Sequence, residues 1–383
     1  MERRRALLRW AKAQGIRKNG ISFVEIPGRG NGMVAQRRLK EGQTILVVPP
    51  EAIRSLHSIP RTILQRLPRD ISIHALLAAE LALDTSEDLE PWRSMLPTLS
   101  DFKHALPFMW HEELHAMLPR PANHIIRQQQ ARFTRDWRLI STAFPKMSLE
   151  EYLYTWFIVN TRAFYYVTEQ MEAYPPDDRL ALVPLQDFFN HADDGCRVSF
   201  SPGGCYEVRT NRTYRAGEEI YLSYGDHSND FLLAEYGFVM GENRWDQACL
   251  EDVILPKLNA AQKAQLESRC YLGPFTITLD ADNLVCHKTR VALGLLCCTP
   301  EESHTILETT GECGQVSQHK VDKLLAQLLH ELWEKAEETI AAVGETSVGQ
   351  SEQRELIIGR WKQIQATVMK AINRLEPSVS VTE

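Results

Sequence analysis

Three short stretches of the chain carry residue types able to do chemistry. The first is "HEELH", His111 to His115. On a helix this pattern would present two imidazoles on one face, with a glutamate placed as general base for a bound zinc ion. A catalytic site of that kind needs a third ligand. His124 lacks the spacing of the extended motif, and Pro119 and Pro121 stop the helix first. The stretch therefore reads as a solvated amphipathic helix with Trp110, Leu114 and Met117 facing inward, and no metal is expected. The second is "GRGNG", Gly28 to Gly32. It is G-x-G-x-G rather than G-x-G-x-x-G, and "MVAQRRLKEGQTILVV" after it reads as strand. The helix whose N-terminus would hold a pyrophosphate is missing. The glycines still suit either a hairpin turn or a close backbone approach to a ligand. The third is "LVPLQDFFNHADDGCRVSF", Leu182 to Phe200. Asp187, Asn190 and His191 stand there among apolar residues and must be satisfied by something. A Ser-His-Asp reading fails for want of a G-x-S-x-G elbow. A metal reading that adds Asp193 and Asp194 fails because no second cluster completes it. Those two aspartates are expected in solvent, as an acidic rim that would steer basic substrates.

The elements that must position these residues follow from pattern. From Gly20 to Ile53 short apolar runs are cut by Gly and Pro, which predicts strands joined by tight turns. From Ile59 to Tyr166 the pattern is helical. Ser148 and Glu151 form a capping box that opens a helix running through "EYLYTWFIVNTRAFYY". Strand patterns return in "CRVSFSP", "CYEVRTNRTY" and "EEIYLSYG", followed by a short helix at "NDFLLAEYGF". Beyond Leu255 helices dominate. Val321, Leu324, Leu325, Leu328, Leu332 and Ala336 make one stripe; Trp361, Ile364, Val368, Ile372 and Leu375 make another. The linker Val343 to Glu352 separates them. Without the strand-helix alternation of a doubly wound sheet, the order predicts a β-rich domain with a helical insertion and a helical C-terminal lobe.

Composition narrows the function classes. With 44% hydrophobic and 24% charged residues the chain is an ordinary globular protein, and its net charge of −7 argues against direct binding to nucleic acid or an anionic membrane. The basic start "MERRRALLRWAKAQGIRKNG" could serve as a presequence or docking arm. A surface helix packed through Leu7, Trp10 and Ala11 is the favoured reading. The most apolar run, Ala75 to Leu83, carries Glu80 and is too short to cross a bilayer. Eight cysteines without a C-x-x-C suit a reducing compartment, so a cytoplasmic or nuclear location is expected.

Taken singly, Asn190 suits a turn, and Tyr224 and Phe238 suit a core. Taken in order, "RGNGMVA", "VPLQDFFNH" and "YLSYGDHSNDFLLAEYGF" resemble the SET-domain protein methyltransferases, in their Rubisco large-subunit methyltransferase-like subclass. "PWRSMLPTL" and "LPFMWHEELHAML" look like that subclass's insert. The resemblance implies an α+β fold: a pseudoknotted SET domain interrupted by a helical insert and followed by an all-α substrate-binding lobe. The corresponding segments are 1–58, 59–160, 161–245 and 246–383. It implies methyl transfer from S-adenosyl-L-methionine to the ε-amine of a lysine in a non-histone protein. Ribosomal or translation-related substrates are in view, and the protein would act as a monomer. Protein-histidine methylation and a silent binding module are the alternatives. By the match, Tyr224, Asp187 and Tyr236 serve catalysis. Arg29, Gly30, Asn31, Gly32, Arg162, Asn190, His191 and Phe238 hold the cofactor, and Phe164 lies beside the acceptor channel, where its apolar ring favours lysine.

Overall fold

The computed structural model describes residues 2–200, 204–278, 284–297, 299 and 315–375. They form two compact units, one of Met1–Lys103 with Gln128–Asp226, the other of His104–Arg127 with His227–Glu383. Neither unit is one continuous stretch of chain. Residues 104–127 carry Trp110, Leu114, Leu118, Ala122 and Ile126 into the second unit's apolar core, and residues 227–245 add Leu233 and Ala234 to it. Burial of these side chains decides membership, and the insert is thereby split.

The first unit holds the sheets. One has four strands in the order β1 (Arg17–Lys18), β4 (Thr44–Val48), β8 (Tyr206–Arg209), β7 (His191–Phe200). A second has the order β2 (Ile21–Ile26), β3 (Gly30–Ala35), β9 (Glu219–Ile220). The β2–β3 hairpin is antiparallel from Ile21↔Ala35 to Ile26↔Gly30, and its turn uses Gly28 and Gly30 at φ of 73° and 72°. Only glycine adopts such angles without cost. The glycine-rich stretch is thus a hairpin followed by strand, as its pattern implied. The register buries Ile21 and Phe23 from one strand with Met33 and Ala35 from the other. The N-terminal helix Glu2–Ala13 buries Leu7, Trp10 and Ala11.

Helix Ile73–Leu83 packs on helix Leu149–Arg162. Its start is satisfied by Ser72, which accepts from Ala75 N–H, and by Asp178, which accepts from the N–H groups of Ile73 and His74 at 2.8 and 3.1 Å. Glu80, on this otherwise apolar helix, is buried and ion-paired to Arg54. The capping box at Ser148 and Glu151 is present. The helix it opens ends at Arg162 instead of continuing through Tyr166. Ala163 turns extended (φ −78°, ψ 150°), and β5 (Ala163–Tyr165) pairs with β6 (Leu180–Leu182). Aromatic residues favour such a ladder, and the distant partner strand supplies the hydrogen bonds that helix continuation would have made.

In the second unit, helices Gln315–Glu345 and Ser351–Leu375 pack along the two stripes read from sequence, joined by residues 346–350 only. Val343 belongs to the first of these helices and is fully buried. His111 caps helix Glu112–Ala116, with Nδ1 accepting from Glu113 N–H, and His115 Nε2–H donates to the Pro107 carbonyl at 2.6 Å. Among the described residues no cluster suits a metal ion, and no helix is long and apolar enough to cross a membrane.

The second unit also buries a charge. Arg360, fully buried, donates from Nε to Asp230 at 2.7 Å and from one terminal nitrogen to Asp246 at 2.7 Å, and a third contact reaches the Gln247 carbonyl at 3.0 Å. Removing a carboxylate would strand the guanidinium, which typically costs about 3–5 kcal/mol. Asp230→Ala is therefore expected to lower the unfolding midpoint in urea steeply. A midpoint equal to the wild type's would show that water replaces the lost partner.

Candidate active site

The third chemical stretch folds around the chain near Tyr224. Leu222 N–H donates to the Asn190 carbonyl at 2.9 Å, and Cys196 N–H donates to the Tyr221 carbonyl at 2.7 Å. Leu222 bridges in parallel to both His191 and Cys196, so residues 190–196 curl round residues 221–223. A Cβ on Gly195 would lie 2.2 Å from the Leu222 carbonyl carbon and 2.4 Å from Ser223 N, so only glycine fits. This is the crossing that the sequence resemblance implies, an exception to the usual rule against threaded connections.

Tyr224 is fastened at this crossing. Its N–H donates to His191 Nδ1 at 3.0 Å and its hydroxyl donates to the Phe189 carbonyl at 2.7 Å. A backbone N–H can only donate, so the His191 ring carries its proton on Nε2. The two rings lie 5.0 Å apart. Burial pushes the Tyr224 phenol up to about 12, with Arg162 opposing and Asp187 adding to the rise. At neutral pH it is a hydroxyl, able to donate once and accept through its remaining lone pairs.

Asp187 sits in a short 3₁₀ turn, Gln186–Phe188, entered through Leu185 at φ 68°. That angle is strained for a leucine, and the residue is buried beside the site. Asp187 Oδ2 accepts from Trp92 Nε1–H at 3.0 Å, while Oδ1 is buried with no partner. Burial pushes the carboxyl up to about 6, against the pull of Arg162 and of the Trp92 N–H. Arg162, at the end of its helix, donates to the Asp187 main-chain carbonyl at 2.5 Å, and its buried Nε has no partner. Its guanidinium carbon stands 6.0 Å from the centre of the Phe188 ring.

A second network joins the glycine hairpin to β9. Glu219 Oε1 accepts from Asn190 Nδ2 at 2.8 Å; Oε2 accepts from the Tyr221 hydroxyl at 2.6 Å and pairs with Arg29 at 2.9 Å. Arg29 also donates to the Tyr221 hydroxyl at 3.0 Å. A Cβ on Gly32 would come within 2.4 Å of Ile26 Cδ1, 3.1 Å of Glu219 Oε1 and 3.2 Å of Asn190 Nδ2, so the hairpin backbone is packed against this pair and the Ile26 side chain.

Of the residues singled out from sequence, Arg29, Gly32, Arg162, Asp187, Asn190, His191 and Tyr224 come together in the first unit. Gly30 shapes the hairpin, with open space where a Cβ would stand. The Asn31 side chain donates to the Met95 carbonyl at 3.2 Å, so it ties the hairpin to the segment behind it. Phe164 lies half-buried on β5, its ring 6.3 Å from that of Tyr206. Tyr236 and Phe238 belong to the second unit, with ring centres 6.2 Å apart; Tyr236 closes helix Asn229–Tyr236 before Gly237 at φ 79°. Sequence reading missed Trp92 and Glu219. Glu219 is two residues before Tyr221 in a strand pattern, which places both on one face. Nothing local announces the bond from Trp92 to Asp187.

A family model described as "SET domain" matches residues 30–225. The chain belongs to the SET-domain family. Its SET region spans the crossing, Arg162 and Tyr224. The mouse "SET domain-containing protein 4" is 27% identical over 324 residues, 77% of this chain and 72% of that protein. "Ribosomal lysine N-methyltransferase set11" of Schizosaccharomyces pombe is 24% identical over 294 residues, 76% of this chain and 74% of that protein. The "Actin-histidine N-methyltransferase" of Canis lupus familiaris matches at 24% identity over 262 residues, covering 63% of this chain and 43% of that protein. Among solved structures, the SET domain of LSMT bound to lysine and AdoHcy aligns with a TM-score of 0.66 at 15% identity, over 98% of this chain and 91% of that one. Rubisco LSMT bound to AdoMet aligns at 0.62 and 14%, over 100% and 97%. These structures share the fold expected from sequence.

In this SET domain Asp187 makes stability depend on pH. Its folded value of about 6 lies above the unfolded value of about 4. Its contribution is present below about pH 4 and is lost as pH rises through about 6. Asp187→Asn removes that loss, so the variant should gain on the wild type by roughly 2 kcal/mol between pH 4 and pH 7. Urea unfolding at a series of pH values reads the difference; a gap that stays flat over that range would contradict it.

Proposed function

We propose that this SET-domain protein is an S-adenosylmethionine-dependent protein-lysine N-methyltransferase acting on a non-histone protein, with a ribosomal protein the first substrate to test. The observation that carries the reading is the Tyr224 hydroxyl, pinned to the Phe189 carbonyl beside Asp187 and Arg162. Relatives named as ribosomal lysine N-methyltransferases, in fission yeast and in Saccharomyces cerevisiae, support it.

The residues fit such a cofactor. The unpartnered Arg162 Nε offers a donor to a carboxylate. Arg29, Gly30 and Gly32 would approach it through the hairpin backbone, and Asn190 with the His191 main chain would hold its polar end. When bound, S-adenosylmethionine supplies an electrophilic methyl group on a sulfonium.

What remains for the chain is to present a neutral amine in line. A lysine amine has an unperturbed pKa of ~10.4, and transfer from water into a desolvated site favours its neutral form. Tyr224 is a hydroxyl with its own proton already donated to Phe189, so its oxygen can accept an N–H of the amine and aim the nitrogen lone pair. Alignment of this kind is a large part of rate enhancement in bimolecular transfers. Asp187, close enough to act on the phenol, adds negative potential that suits a cationic methylated product. Phe164 offers no hydrogen bond to an imidazole, which favours lysine over histidine as acceptor. The described cysteines are free, in keeping with a cytoplasmic or nuclear site of action.

Tyr224→Phe deletes the aligning oxygen while keeping the ring. Transfer of labelled methyl from S-adenosylmethionine into ribosomal protein should fall about 100-fold or more, with cofactor affinity within a few-fold of wild type. Unchanged turnover would overturn the role of Tyr224. Label recovered on histidine would replace the lysine reading.

A further inference from the structure

The Asn190 side chain is held in a way that decides what it can bind. Its main-chain carbonyl is taken by Leu222 N–H at 2.9 Å, so the backbone is fixed. Its side-chain nitrogen faces Glu219 Oε1 at 2.8 Å. A carboxylate that already takes the Arg29 guanidinium and the Tyr221 hydroxyl is an acceptor, so the amide must present its NH₂ group to Glu219 and not its oxygen. The chemistry of the partner fixes the orientation of the amide. The amide oxygen, Oδ1, is thereby turned away from Glu219, and among the described residues no donor is paired with it. Gly32, lacking a Cβ, lets Ile26, Glu219 and the Asn190 amide pack against the hairpin backbone and so helps hold this arrangement.

We propose that Glu219 is a positioning residue: it fixes the Asn190 amide with its oxygen toward the ligand, so that this part of the site selects a hydrogen-bond donor, the ammonium of an amino-acid-bearing cofactor. This rests on the methyltransferase reading above. Arg29 and Tyr221 act one step further out, holding the Glu219 carboxylate by their own contacts. The device also predicts an inversion. In Glu219→Gln the new amide must keep its oxygen toward the Arg29 guanidinium, so its NH₂ group faces Asn190. The Asn190 amide then flips and turns its own NH₂ group toward the ligand, donor against donor. In Glu219→Ala the Asn190 amide is merely free to rotate.

The test is calorimetric titration at pH 7 with two probes, S-adenosylhomocysteine and 5′-methylthioadenosine, which lacks the amino-acid portion. Glu219→Gln should bind S-adenosylhomocysteine about tenfold more weakly, the size of one lost charge-assisted hydrogen bond, and Glu219→Ala about threefold more weakly. Affinity for 5′-methylthioadenosine should stay within twofold in both variants. If the glutamine variant does not fold, the alanine variant carries the same two-probe comparison. Unchanged binding of S-adenosylhomocysteine by the variants would overturn the role of Glu219 alone. Equal weakening of both probes would make Glu219 a purely structural residue. Wild-type protein that binds neither probe would overturn the methyltransferase reading and this role with it.

Discussion

A few hydrogen bonds between residues 189–196 and 221–224 hold this site together. Phe189, Asn190, His191 and Cys196 on one side meet Tyr221, Leu222 and Tyr224 on the other, two of the bonds through main chain alone and two through the His191 ring and the Tyr224 hydroxyl. Backbone bonds of this kind leave little freedom: shifting either segment by one residue would exchange every donor for the wrong partner. Gly195 shows how close the approach is, since a single methyl group has no space there. Because Tyr224 bonds to both His191 and Phe189, the residue proposed to align the acceptor and those proposed to hold the donor sit on one frame.

Three buried or half-buried carboxylates show how differently one functional group can be used. Asp230 is neutralised by Arg360 and serves the second unit's packing. Glu219 has donors on both oxygens and acts through the groups it holds. Asp187 is left half-satisfied, with one oxygen on Trp92 and the other bare, and its proton is correspondingly hard to remove. Incomplete solvation in a protein interior is costly, and such residues concentrate where chemistry is done. Leu185, forced into a left-handed angle at the entrance to the same turn, belongs to the same pattern.

Much of this was legible in the sequence wherever the cause is local. The capping box at Ser148, the turn glycines 28 and 30 and the two C-terminal stripes depend on neighbours a few residues apart, and each is found as read. Reading fails where a distant partner decides. The helix after Ser148 stops at Arg162 because Leu180–Leu182 offers a ladder to Ala163–Tyr165. Trp92 and Glu219 act on residues 95 and 29 positions away, and spacing cannot reveal such pairs. Spacing is equally silent on residues 104–127, which join a core whose other members lie beyond residue 227.

The sheets of the first unit also carry a kinetic consequence. β4 pairs with β8, and β3 with β9, although the whole helical insert lies between them in sequence; the Arg29–Tyr221 bond alone spans 192 residues. Closing so long a loop from an open chain costs conformational entropy before any contact rewards it. Helices Ile73–Leu83 and Leu149–Arg162 lie inside that loop and pack on one another. Their early association would shorten the effective separation of the strands. An insert packed in this way would bring the two halves of the sheet closer together before the strands pair.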